Sequence, residues 1–151
     1  MKEKRKILKC VSVILLVLAI LFIWSNSLKQ GSDSLRDSGF VKRVIESVLS
    51  FLGFDVEVAE VLVRKAAHFT EYFILGLLAL WVSIEYDIPF GRYASALFCV
   101  IIASIDETIQ YFVPDRNGNV IDVGIDTLGA ISAIAILSVI ILLIKRRKEK
   151  N

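Results

Sequence analysis

The 151 residues include only two cysteines, two prolines and one histidine, and each scarcity closes off a class of protein. Two thiols are too few for a disulfide scaffold. Cys10 and Cys99 each lie near the start of an apolar run, where small core-filling thiols are the expected reading. With a single imidazole, His68, a structural zinc site of the usual cysteine and histidine ligands is a poor fit. Pro89 and Pro114 both fall between apolar runs, so no run is interrupted from within. No serine or cysteine stands in a recognisable activating context, which leaves no obvious nucleophile. No internal repeat is evident.

What the chain has in abundance is apolar sequence: 56% of its residues are hydrophobic, far from the balance of an ordinary soluble domain. The reading is one all-α domain over residues 1–151, a polytopic membrane protein with four spans at about 7–24, 66–84, 93–113 and 122–144. Each run is long enough to cross a bilayer. The first has a basic flank but no clear small-x-small site after it, so an uncleaved helix is expected. Trp24 marks its interfacial end.

Lys2, Lys4, Arg5, Lys6 and Lys9 open the chain, and Lys145, Arg146, Arg147, Lys148 and Lys150 close it. Because both clusters abut apolar runs, the positive-inside rule accounts for them without a nucleic-acid partner. Both termini are therefore expected in the cytoplasm, with the connector at 25–65 outside. In that connector Ser25 to Ser38 reads as an exposed loop. From Phe40 to Leu52 a helical period returns, too short and too charged to span, so an extracytoplasmic amphipathic helix lying in the interface is expected. Asp55 is the expected N-cap of the second long helix, with Glu60 pairing to Arg64 one turn on. Gly129, Ser132 and Ala133 on the last run suit close helix packing. Phe69, Tyr72, Phe73, Tyr111 and Phe112 suit an interfacial aromatic belt.

Three polar stretches stand at the ends of apolar runs, and under this topology all three meet at the outer leaflet. In the first, Arg64, His68, Glu71 and Tyr72 share one helical face, with Lys65 alongside. The second carries Asp106, Glu107 and Gln110. The third runs from Arg116 through Asp122 to Asp126. Asp106 precedes Val113 by seven residues, roughly 10 Å below the end of its helix. An unpaired carboxylate at such depth costs about 2.5–3.5 kcal/mol, so a lined, partly wet cavity is expected, with Arg64, Lys65, His68 and Arg116 as counter-charges.

His68, Glu71, Asp106 and Glu107 are the candidates for general acid or base, the Glu71 carboxylate orienting the imidazole. The rival is an interhelical hydrogen-bonder at His68. Arg64, Lys65, Tyr72, Gln110, Arg116, Asp122 and Asp126 are the candidates for ligand binding, the arginine forks suiting phosphate or carboxylate. For Arg116 the alternative is an Arg–Asp pair closing the site. A divalent cation is a further option, and one imidazole among carboxylates suits Mg²⁺, Mn²⁺ or Ca²⁺.

These motifs resemble the VanZ-like family of small bacterial membrane proteins. The resemblance rests on Arg64-Lys65 with His68-Phe69 and Glu71-Tyr72, on Asp106-Glu107 with Gln110, and on Pro114, Arg116, Asp122 and Asp126-Thr127 with Gly129. Trp24-Ser25-Asn26 and the serine-rich stretch after it also match. Asp115 departs from the small residue common there, and Ala133 from a second glycine. The resemblance implies a multi-pass protein of the bacterial cell membrane, and the family's namesake is associated with resistance to teicoplanin, a lipid-tailed glycopeptide. The expected partners are membrane lipids and a lipid-tailed envelope molecule or lipoglycopeptide. Three functions stay open: recognition of such a molecule, a membrane-embedded enzyme acting on a lipid headgroup, and a structural or interaction role. A proton-coupled transporter ranks last, since Ser12, Ser83, Ser95 and Ser138 are almost the only polar groups in the other halves of the spans.

Overall fold

The computed structural model of the protein describes residues 2–54, 56–116 and 118–150, and every regular element among them is a helix. In chain order these are α1 (Lys2–Ser27), α2 (Gly31–Phe51), α3 (Glu60–Glu85), α4 (Gly91–Tyr111) and α5 (Val120–Lys150). All except α2 are long and apolar enough to cross a membrane.

The central helix is α3, packed on the four others and most extensively on α5. Lipid is as apolar as leucine, so helices in a membrane gain little from hydrophobic burial and associate where small residues let backbones approach. That is the arrangement between α3 and α5. A Cβ on Gly76 would lie 2.6 Å from the Ala130 carbonyl oxygen, and one on Gly129 would collide with the Phe69 carbonyl. Ala133 is fully buried one turn beyond. The core around this crossing comprises Tyr72, Leu75 and Ala79 of α3, Cys99, Ile102 and Ala103 of α4, Ala130 of α5 and Ile23 of α1. The outward surfaces remain apolar, with Ile14, Leu18 and Phe22 of α1 and Ile136, Ile140 and Leu143 of α5 all exposed.

Contacts sort the bundle into two ends. At one, Arg5 at the start of α1 reaches Asp87 in the turn between α3 and α4 (2.9 Å), and the Lys9 ammonium lies 4.8 Å from the Tyr86 ring centroid. The basic carboxyl-terminal turns of α5 run toward this same end. At the other, the close of α1, the start of α3, the close of α4 and the start of α5 converge.

Several boundaries differ from the sequence reading. Ser25 to Ser38 is helical on both sides of a short turn. The α1 helix extends through Ser27 because Asn26 and Ser27 find side-chain partners on α3 and α4. The α2 helix starts at Gly31, whose N–H donates to the Pro114 carbonyl (3.3 Å) and whose lack of a side chain admits the Asp115 backbone. Ser38 does not break α2, since its hydroxyl donates back to the Ser34 carbonyl (2.9 Å). Asp55, the expected cap, lies outside the described residues. The α3 helix begins at Glu60 with no side-chain cap on Ala59, and Glu60 accepts from the Ser38 hydroxyl (3.2 Å) rather than pairing with Arg64. The cap of α5 is Asn119, whose Oδ1 accepts from the Ile121 N–H (3.0 Å).

Two side chains also pack differently from the sequence reading. Cys10 is exposed, because α1 turns Ser12, Ile23 and Ser27 inward. Tyr72 belongs to no belt: its whole side chain is buried between helices, while Tyr111 and Phe112 are exposed.

Candidate functional site

The convergent end carries an unusual density of buried charge. Asp106 and Asp126 are both 0% exposed, Glu107 and Gln110 are buried beside them, and Arg116 from the α4–α5 loop is 8% exposed. The helical repeat explains the alignment. Asp106 and Gln110 are one turn apart on α4, and Asp122 and Asp126 one turn apart on α5. Arg64, His68 and Glu71 follow the same spacing on α3 and line a common cavity.

Hydrogen bonds tie the five segments together. Gln110 Nε2 donates to Asp106 Oδ2 (3.0 Å) and to Ser27 Oγ (3.2 Å). Asn26 Nδ2 donates to Glu71 Oε1 (2.9 Å), while the Asn26 carbonyl accepts from Arg116 Nη2 (3.1 Å). Glu107 Oε2 accepts from the Asn119 N–H (2.8 Å), which anchors the loop before α5. Lys65 forms an ion pair with Asp122 at the rim. His68 Nδ1 lies 3.8 Å from Asp126 Oδ1.

This network rearranges the expected partnerships. His68 faces Asp126 of α5, whereas Glu71, the expected orienting group, is held by Asn26. Among the described residues Arg116 closes no pair with an aspartate; it grips the end of α1 through the Asn26 carbonyl. Burial, with the like charge of Arg64 close by, lowers the pKa of the Arg116 guanidinium from its ordinary value. Asp115, next to it, adopts a left-handed backbone (φ 58°). Asp tolerates that conformation better than most residues, as does the glycine that suits such a position.

Several buried polar atoms have no hydrogen-bond partner among the described residues: both carboxylate oxygens of Asp126, Oδ1 of Asp106, Oε1 of Glu107, Nδ1 of His68, the Tyr72 hydroxyl, and Nε and Nη1 of Arg116. Buried polar groups in folded proteins are normally satisfied, so eight such atoms in one cluster mark a place built to hold something.

Two cavities flank the cluster. The larger, about 530 Å³, lies between α2 and the α1–α3 face. Phe22, Val41, Ile45, Val63 and Ile74 give it apolar lining, Lys29, Ser34, Asp37 and Ser38 add polar groups from the α2 side, and Asn26, Arg64, His68, Glu71 and Arg116 face it from the site. The smaller, about 360 Å³, opens on the far side past Lys65, Asp122 and Asn119. Arg64 and His68 line both and form the partition between them.

The family description VanZ/LLP1 matches residues 12–143, which takes in most of α1 and α5, all of α2, α3 and α4, and every site residue named above. The chain belongs to the VanZ/LLP1 family. No curated protein and no solved structure matches it. Family and helices together make this a membrane protein.

Most of the residues expected from sequence thus meet in space. Tyr72 contributes from beneath, as a buried hydroxyl, and Lys65 with Asp122 stands at the rim. Asn26, Ser27, Ser38 and Asn119 were not anticipated as contacts. The first two stand directly after an apolar run, the same signal that marked the other three stretches.

Proposed function

We propose that this VanZ/LLP1 protein recognises the polar head of a lipid-tailed envelope molecule at the outer leaflet of the bacterial cell membrane. The single observation that carries this reading is the larger cavity, which joins an apolar lining from Phe22, Val41, Ile45 and Ile74 to a charged one from Arg64, Glu71 and Arg116. An acyl chain suits the wall of Val41, Ile45 and Ile74. A phosphate or carboxylate suits Arg64 and Arg116, whose Nε and Nη1 have no protein hydrogen-bond partner.

The basic residues at both ends of the chain support termini in the cytoplasm, which puts the site outside. The exposed apolar side chains of α2, among them Val44, Val48 and Phe51, suit a helix lying in the membrane interface. On this reading the partners are membrane lipids or a lipoglycopeptide, and teicoplanin-type resistance follows if the bound molecule is the drug or its target.

The test uses the full chain in nanodiscs of phosphatidylglycerol and phosphatidylethanolamine, read by native mass spectrometry. Retained phosphatidylglycerol in wild type, lost in Arg116→Ala and Arg64→Ala, is the expected result. Cells producing wild type or Arg116→Ala are compared for teicoplanin susceptibility in parallel. Equal lipid retention and equal susceptibility across the variants would falsify the proposal.

A second reading, a membrane-embedded enzyme, draws on the approach of His68 to Asp126. A carboxylate facing an imidazole is the arrangement that orients a histidine general base. Release of headgroup from a lipid extract, abolished by His68→Ala, would favour it over recognition alone.

A further inference from the structure

We infer that His68, Asp106 and Asp126 form a binding site for one divalent transition-metal cation, with Mn²⁺ and Zn²⁺ the ions that suit the donors. This goes beyond lipid recognition, because a cation would bind here whether or not a lipid occupies the neighbouring cavity.

The three residues come from α3, α4 and α5, and one donor atom from each lies within 4.8 Å of the others. Ligand atoms sharing an ion at about 2.1 Å stand roughly 3–4 Å apart. The 3.8 Å between His68 Nδ1 and Asp126 Oδ1 already falls in that interval. The remaining separations, up to 4.8 Å, have to shorten when an ion binds.

The second, independent observation is the state of the donors. Asp106 and Asp126 are 0% exposed, and Asp106 Oδ1, both oxygens of Asp126 and His68 Nδ1 have no hydrogen bond from the protein. Gln110 holds the other oxygen of Asp106, which aims Oδ1 inward as an outer hydrogen bond aims a metal ligand. Among the described residues Lys65 pairs with Asp122, and neither Arg64 nor Arg116 hydrogen-bonds Asp126 or the Oδ1 of Asp106. Two carboxylates carry the charge that one divalent ion cancels, so binding removes the cost of burying them. One imidazole with two carboxylates is a mixed nitrogen and oxygen set, which favours first-row transition ions over the all-oxygen preference of Ca²⁺. Because His68 borders both cavities, the ion would keep an open side.

The experiment takes the full chain in nanodiscs, strips it with chelator, and titrates MnCl₂ by the loss of free-ion paramagnetic resonance. ZnCl₂ is measured in parallel by elemental mass spectrometry after desalting. Saturable binding of about one ion per chain is expected, weakened at least ~10-fold in Asp126→Asn and in His68→Ala. Asp87→Asn, at the opposite end of the bundle, is expected to bind within about twofold of wild type, since distant sites act independently. Wild type that saturates with neither ion overturns the inference, as does wild-type affinity retained in both site variants. Should Asp126→Asn fail to fold, the wild-type titration and His68→Ala decide it. Phosphatidylglycerol retention is read on the same samples, so loss of lipid binding with cation binding intact separates the two proposals.

Discussion

At the basic end of the bundle the Ser83 and Ser95 hydroxyls meet at 2.8 Å in the α3–α4 contact, and Arg5 reaches Asp87 at 2.9 Å. At the opposite end Asp106 and Asp126 are buried on the same α4 and on the neighbouring α5, with carboxylate oxygens that no protein group satisfies. Both ends place polar side chains between membrane helices. One end uses small hydroxyls, of which Ser83 and Ser95 satisfy each other and the lone Ser138 hydroxyl has no partner, together with charges at the surface. The other keeps acceptors and donors in reserve, beside cavities wide enough to admit a headgroup. A polar group within a helix bundle is therefore read by what it leaves unpaired, not by its depth alone.

This contrast predicts a gradient of mutational effects. Gly129→Val at the α3–α5 crossing should have the largest, about 3 kcal/mol or more, because a side chain there meets the Phe69 backbone. Thermal unfolding in detergent measures it, and a stable Gly129→Val protein would mean that the crossing is loose. Next, Asn26→Ala should lose about 1–3 kcal/mol by leaving the Glu71 carboxylate without its donor. Asn26→Asp should not rescue it, since it faces Glu71 with a second acceptor.

At the other end Ser83→Ala alone should cost about 1 kcal/mol, while Ser83→Ala with Ser95→Ala should come nearer to wild type, because removing both partners leaves no orphan. A double variant as damaged as the sum of the singles would break the comparison. Arg5→Ala should change stability by less than about 1 kcal/mol, the pair with Asp87 being exposed on both sides. If Arg5→Ala were to equal Asn26→Ala, the two ends would not differ in the way described. The smallest effect concerns Asp37 of α2, whose carboxyl is held below its ordinary pKa of 3.8 by the hydrogen bond and charge of Lys29. Its titration midpoint, followed by carboxyl NMR, should move upward in Lys29→Ala. An unmoved midpoint would mean that the pair does not persist in solution.

Much of the architecture was open to inspection in the residues alone. Four apolar runs, each closed by polar residues or proline, announce four long helices, and the end of each run tells which side its polar residues face. The site was readable for the same reason: a carboxylate inside an apolar run is costly anywhere except where another segment answers it. Boundaries were less legible. Ser25 to Ser38 carries the residues of a loop and is helical because Asn26, Ser27, Gly31 and Ser38 each find partners that are distant in the chain. Turn-forming residues lose their local preference when tertiary contacts supply the bonds they would otherwise make within a turn.

By itself, then, the sequence determined that this chain carries four helices long and apolar enough to cross a membrane, that the charges within and beside its apolar runs gather at the end opposite the basic termini, and which residue types stand there. Hydrophobic period and charge placement act along the chain, so no fold is needed to read them. Who faces whom was decided only in three dimensions. That His68 meets Asp126 rather than Glu71 and that Tyr72 is buried beneath the site follow from the approach of α3 to α5, while Arg116 holds the end of α1 because the loop before α5 packs against it. Gly76 and Gly129 set that approach, and the distance between helices, unlike the period within one, belongs to no single segment.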